Sequence, residues 1–519
     1  VALAWGQDPF LHNNDNNAAT GVLMTTKPVK KILIVGGGTA GWMTAAYLAR
    51  WLEKVDIQVT LIESELIGTI GVGEATVPGI HQFIKDLAIK ESEFIKATNA
   101  TFKLGIEFDQ WAGIDTRFFH PFAGYGVEIE DRPFYKTWWW AKNQGYSEGL
   151  DKFCLCTQLA QAGKFAQPSF DEKSRLAWYN YAYHFDASLF AKFLRRYAEQ
   201  RNVQRIEGKI NHVQLDGASG FIQSVSMESG QVVEADLFVD CTGMPALLIG
   251  KTLGVGYEDW SHWLPCDSAL AVQTKSVVEP DPFTRSSART AGWQWHIPLQ
   301  HRVGNGYVYS SQFISHEQAR EELLNNLTGE RVTEPKLIRF TTGMRKDFWS
   351  KNCVAIGLSS GFLEPLESTS ISLIQTGINK MTGFMVNFEI DEKHVAEANR
   401  LNRLEYERIR DFIILHYKLN GRSNPFWQHV RAMPIPASLE GKMSLFRASG
   451  DIKMLEQESF KEDSWVSMYY GFGVQPHAPA SLTDPERIQM IMNKMKIAVA
   501  KGVQLAPSHA EFIQTIGTP

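Results

Sequence analysis

Lys31-Ile-Leu-Ile-Val35-Gly36-Gly-Gly38-Thr-Ala-Gly41 is the stretch on which the fold turns. Its first five residues form a short apolar run, as expected for a strand buried in a parallel sheet. The glycines that follow keep the spacing Gly36-x-Gly38-x-x-Gly41, and Trp42-Met-Thr-Ala-Ala-Tyr-Leu-Ala-Arg-Trp-Leu52 then has a helical pattern. A second apolar strand, Gln58–Ile62, ends at Glu63. Strand, glycine turn, helix, strand and an acid about 20 residues on make one βαβ dinucleotide-binding unit. Gly36 allows the tight turn, Gly38 lets the backbone approach a pyrophosphate, and Gly41 lets helix pack on strand. The helix start would face the negative charge. Glu63 is placed to accept a ribose hydroxyl; its bland alternative is a solvated strand end. The fold class is therefore α/β, with a Rossmann-like nucleotide-binding box.

Outward from this unit, Ala187–Ala198 is an amphipathic helix with Asp186 as its N-cap. Strand-like stretches run from Ile206 to Val225. Ala235-Asp-Leu-Phe-Val-Asp-Cys-Thr-Gly243 and Asn352-Cys-Val-Ala-Ile-Gly357 both read as buried strands ending in a glycine turn. Aromatic-rich insertions lie between them, including Phe118-Phe-His120 and Trp138-Trp-Trp140. Leu401–Tyr417 is helical, with Ile409, Phe412, Ile413, His416 and Tyr417 on one face. We expect a nucleotide-binding box over residues 28–395, assembled from discontinuous pieces, and a mostly helical module over 396–519. Residues 1–23 show neither period nor the features of a signal peptide and are expected to be a disordered leader or tail.

A length of 519 residues suits more than one sub-structure. The net charge of −5, with acids and bases mixed, offers no basic field for nucleic acid or an anionic membrane. No apolar run reaches the length of about 18 residues that would suggest a membrane span. Five cysteines form neither a disulfide framework nor a zinc pattern, so no metal is expected, and their sparseness suits a reducing cytoplasm.

Gly292-Trp-Gln-Trp-His-Ile-Pro298 adds a second signal. Trp293 and Trp295 lie at i and i+2 of an extended segment and share a face. His296 and the polar residues around it argue against a wholly buried stretch, and Pro298 should end regular structure. Alone, the indole pair is equally at home in an ordinary core. Beside it stand Gly71-Val-Gly-Glu-Ala-Thr76, Asn180-Tyr-Ala-Tyr-His-Phe-Asp-Ala187, Asp236-Leu-Phe-Val-Asp-Cys-Thr-Gly243 and Glu364-Pro-Leu-Glu-Ser-Thr369. Together with the glycine fingerprint, over most of residues 30–515, these segments resemble the flavin-dependent tryptophan halogenases.

That resemblance implies a box of the flavin monooxygenase type. FAD, supplied reduced, would lie along Gly36, Gly38, Ala40, Gly41, Glu63, Gly73, Glu74 and Ala75. Oxygen and a halide, chloride or bromide, would give hypohalous acid, which halogenates an electron-rich aromatic. The family's essential lysine matches Lys103 in Asn99-Ala-Thr-Phe-Lys103-Leu-Gly-Ile, and its essential glutamate matches Glu367. Lys103 would hydrogen-bond the oxidant or form a haloamine; Glu367 would polarise it or take the arenium proton. The alternatives are a surface lysine and a loop charge or helix cap. Glu364 is read as structural. The halide would meet the backbone N–H groups of Thr369 and Ser370; Ser370 departs from a common glycine, but a backbone donor survives that change. His120, Phe122 and Ser368 match substrate-side positions, although His120 and Phe122 would also serve as core aromatics. Trp293 and Trp295 would form a wall between flavin and substrate.

One departure bears on substrate. Tryptophan-specific members hold the amino-acid head with a Tyr-Tyr…Glu lid. Phe446–Trp465 is too short for it, and Tyr469-Tyr470 come too late. A small indole-like aromatic is expected instead of free tryptophan. Because only one dinucleotide fingerprint is present, reduced flavin is expected from a separate NAD(P)H-dependent flavin reductase. Homo-oligomerisation is left open. The rival readings are a flavin-dependent aromatic hydroxylase and a non-catalytic flavin-binding protein.

Overall fold

The computed structural model describes residues 27–65, 74–477 and 484–517. The expected leader, residues 1–23, and the expected FAD contact Gly73 lie outside these. Lys31–Val35 is the centre of a six-stranded sheet, between Leu237–Asp240 and Gln58–Glu63, both parallel to it. Cys353–Ala355 and Gln204–Glu207 extend the parallel set on either side, and Trp349–Ser350 closes one edge antiparallel. The two apolar stretches that end in glycine turns are thus neighbours in space. The helix Thr39–Trp51 covers one face, where Trp42, Met43, Ala45, Ala46 and Leu48 are buried. Asp186 caps the helix Ala187–Glu199 by accepting from the N–H groups of Ser188 and Leu189.

A seven-stranded sheet runs Lys336–Arg339, Ser268–Thr274, Val303–Tyr309, Gly292–Pro298, Thr284–Arg289, Gly105–Asp109, Arg117–Pro121. The tryptophan segment is therefore an inner strand, and here the sequence reading needs correction. Only His296 in Gly292–Pro298 is not fully buried. Gln294 is buried because its amide is used: it accepts from Arg289 Nε at 2.8 Å and donates to the Asn326 carbonyl at 3.2 Å. A satisfied polar side chain is cheap to bury, so its presence did not report solvent. Pro298 is the last residue of the strand, as expected.

A separate three-stranded sheet, Glu74–Ala75, Ala182–Phe185, Thr101–Lys103, carries Lys103 at a strand end. The C-terminal part is helical: Glu392–Leu419, Pro425–Ala432, Ala437–Ser449, Glu462–Gly471, Pro485–Leu505 and His509–Gly517. Residue 396, where the helical module was expected to begin, lies inside the first of these, a continuous 28-residue helix. No described helix is long and apolar enough to cross a membrane.

Candidate active site

A cavity of about 1160 Å³ opens at the carboxyl end of Lys31–Val35, where ligands bind in open α/β sheets. Gly36, Gly38, Ala40, Glu63, Glu74 and Ala75 line it. The glycines do different things. Gly36 has φ +110°, and a Cβ there would stand 2.3 Å from the Cys241 carbonyl oxygen. At Gly41 a Cβ would stand 1.8 Å from the Gly36 oxygen, so it serves helix packing and is buried. A Cβ at Gly38 would meet nothing within 4 Å. The protein's own packing does not need that glycine; a group lying against the backbone would. Gly37, which sequence reading passed over, leaves room for Glu63, whose carboxylate a Cβ would strike. Glu63 is not a free strand-end acid: it accepts from Arg205 Nε at 2.5 Å and Trp42 Nε1 at 3.2 Å, fixed at the cavity wall. Size, the glycine cradle and a helix start facing the space fit a dinucleotide of FAD length.

The far wall of the same cavity contains Trp293, Trp295, Ser368 and Ser370. The two indoles lie 6.2 Å apart, inclined by 58°. Trp293 Nε1 donates to Glu364 Oε2 at 3.0 Å, and the Tyr417 hydroxyl donates to the same oxygen at 2.5 Å. Burial pushes the Glu364 carboxyl up to about 7. Trp295 needs Gly306 on the adjacent strand, because a Cβ there would fall 2.0 Å from its ring. Trp293 is anchored by its hydrogen bond, Trp295 by packing alone, since its buried Nε1 finds no partner.

Beyond them lies a second, buried polar cluster. Lys103 is fully buried, which removes the surface alternative. Its Nζ donates to the Thr76 carbonyl at 2.9 Å and to Ser368 Oγ at 2.8 Å, 5.2 Å from the centre of the Phe122 ring. Burial pulls the ammonium down to about 7 against the attraction of Glu367. Glu367 is 1% exposed. Its Oε2 lies 2.9 Å from His120 Nδ1, and its Oε1 lies 2.7 Å from His416 Nε2. Burial alone would push the carboxyl up; the two histidines outweigh it and bring the group down to about 2. Ser368, between Glu367 and Thr369, has φ +59°, and this left-handed turn brings its hydroxyl to Lys103. Thr369 is buried, with an Oγ1 that finds no partner, and the helix Ser370–Phe384 begins directly after it. The first N–H groups of a helix lack intrahelical acceptors.

Lys103, His120 with Phe122, and Glu367 with Ser368, from three separate stretches of sequence, are thus one assembly. His416 completes it, although sequence reading had placed it only on a buried helix face. The usable signal was there: an imidazole on an apolar face needs a polar partner. Phe412 stacks on Phe460 at 3.9 Å, and the His120 ring lies 5.8 Å from Phe412 and 6.3 Å from Phe460. Tyr469 is stacked on Phe446 at 3.9 Å, and the Tyr470 hydroxyl donates to Asp151. The Tyr470 hydroxyl is thus committed, whereas the buried Tyr469 hydroxyl finds no partner.

Residues 31–486 match the family model described as tryptophan halogenase. The chain is 36% identical to the tryptophan 7-halogenase of Lentzea aerocolonigenes, over 94% of this chain and 98% of that one. The solved flavin-dependent halogenase of Brevundimonas sp. BAL3 superposes with a TM-score of 0.91 at 44% identity, covering 94% of this chain and 99% of that one. That of Xanthomonas campestris gives 0.91 at 45% identity, with coverage of 94% and 99%.

Proposed function

The chain belongs to the tryptophan halogenase family, a family of flavin-dependent enzymes, and from that premise we propose that it uses reduced FAD, oxygen and chloride or bromide to halogenate a small indole-like aromatic. When bound, FAD supplies the oxidation of halide to hypohalous acid. Gly36, Gly38, Ala40 and Glu63 would hold its nucleotide part, with Glu74 and Ala75 nearer the indole wall. The N–H groups of Thr369 and Ser370, at a helix start, are suited to an anion. Trp293 and Trp295 separate cofactor from substrate, so that no aromatic reaches the flavin.

The observation that carries this reading is Ser368. It lines the cavity, and its hydroxyl touches Lys103, which belongs to the buried cluster. Oxidant made on one side has a polar exit to the other beside an amine. A lysine brought down to about 7 is partly neutral at physiological pH. With two N–H groups committed to Thr76 and Ser368, its lone pair is free to attack the halogen of hypohalous acid. The N–halogen bond forms as the halogen–oxygen bond breaks, releasing water once the amine proton joins the hydroxide. Transfer of halogen to the ring then breaks the N–halogen bond, and the proton the ring loses returns to nitrogen and regenerates the amine. Glu367, an anion beside the ring, stabilises the cationic arenium state electrostatically. His120 and Phe122 flank the ring. Reduced FAD comes from a separate NAD(P)H-dependent flavin reductase; the single dinucleotide fingerprint supports this division.

The test is product mass. The chain, FAD, a flavin reductase system, NADH and oxygen are incubated with indole and either chloride or bromide. A product heavier by halogen-for-hydrogen replacement, absent without halide, is expected. A hydroxylated product would identify an aromatic hydroxylase; unchanged indole with every halide would leave a non-catalytic flavoprotein.

A further inference from the structure

His416 is fully buried. Its Nδ1 lies 2.7 Å from the Phe412 carbonyl oxygen, an atom that only accepts, so Nδ1 carries a proton. Its Nε2 lies 2.7 Å from Glu367 Oε1. One proton must sit in that second contact, on the imidazole or on the carboxyl. The second contact of Glu367 favours the ring. The other Glu367 oxygen already faces His120 Nδ1 at 2.9 Å, and a carboxylate that accepts two N–H bonds is stabilised as the anion. Around the imidazole stand four aromatic rings, Phe108, Trp111, Phe412 and Phe472, at 5.0, 6.1, 5.2 and 6.3 Å, which bury it fully.

We propose that His416 is a positioning residue which carries both ring protons and, as an imidazolium, locks Glu367 in place as a permanent carboxylate. This deepens the halogenase reading and rests on it for its catalytic meaning. Glu367 then serves by fixed charge, and no proton needs to enter or leave it during turnover. With Glu367 as the anion, His120 donates to it through Nδ1. The other titratable groups that face the pair are Lys103 across from Glu367, Asp463 towards His120, and Glu364 on the same loop, which is engaged by Trp293 and Tyr417. Removal of the imidazolium leaves a buried carboxylate with His120 as its remaining neighbouring donor and Lys103 across from it, so the acid form becomes accessible in the working pH range.

The test is His416→Gln in the FAD-bound protein, which can keep one donor but loses the charge. Infrared difference spectra against the double variant His416→Gln/Glu367→Gln should show a protonated carboxyl band at pH 6. The same comparison of wild type with Glu367→Gln should show none. The kcat for indole halogenation should fall at least tenfold at pH 6 and recover towards pH 9, with KM little changed. A pH-independent loss without the band would mean mere packing and overturn the proposal; so would a carboxyl band in the wild type. If His416→Gln does not fold, nitrogen-15 histidine labelling of the wild-type holoprotein decides: one buried imidazole with protons on both nitrogens at pH 8 supports the proposal, and its absence refutes it. The spectroscopic measurements need no turnover. An intact signature in a protein that halogenates nothing would sink the proposed function and leave this assignment standing.

Discussion

Lys103→Met separates activity from stability. The lysine is fully buried, and its ammonium is brought down to about 7, from an ordinary value near 10.5 in an unfolded chain. Between those values the unfolded state binds more protons, so stability rises with pH across that window. The penalty is full below pH 7 and fades as pH approaches 10.5. At about 1.4 kcal/mol per tenfold change, the wild type carries a burden of roughly 4 kcal/mol at pH 7 and about 1 kcal/mol at pH 9.5. Methionine removes the burden but leaves the Thr76 carbonyl and the Ser368 hydroxyl without their donor, at about 1 kcal/mol each. The variant should thus be more stable than wild type by about 2 kcal/mol at pH 7, and this advantage should vanish or reverse by pH 9.5. With an unfolding entropy of about 2 cal/mol/K per residue, a chain of this length shifts its Tm by roughly 1 °C per kcal/mol. The assay is the Tm of both proteins, FAD-free, at several pH values from 6 to 9.5. The Tm difference should shrink by about 3 °C between pH 7 and 9.5, while halogenation is lost and flavin binding persists. A difference that stays constant with pH, or a variant that retains near-wild-type product, would refute the reasoning.

Gly38→Val should leave Tm unchanged, because a Cβ there meets no protein atom, yet weaken FAD binding at least 100-fold, as titration by flavin fluorescence quenching would show; unchanged affinity would remove the pyrophosphate from that turn. Indole should have a higher kcat/KM than L-tryptophan under the same halide, because burying an ammonium and a carboxylate without partners is costly, the Tyr470 hydroxyl is committed to Asp151 and the Tyr469 ring is buried against Phe446. A clear preference for tryptophan in competition assays would point to a clamp elsewhere.

Sequence alone determined much of this protein. Lys31–Val35, the glycines and Gln58–Ile62 act through local backbone geometry and a continuous apolar pattern, and such signals survive in a linear chain. Asp186 as a cap and the helical C-terminal part were legible for the same reason. Lys103 and Glu367 were found only by resemblance, since one charge in an apolar stretch does not announce its partner. Tertiary structure decided the rest. It buried Gln294 by giving its amide Arg289 and Asn326. It turned Glu63 from a free acid into one fixed by Arg205 and Trp42. It brought His416, 49 residues along the chain, against Glu367. The physical reason is common to all three. A polar side chain's protonation and orientation depend on whichever donors and acceptors the packed interior sets beside it, and those come from strands and helices remote in the chain.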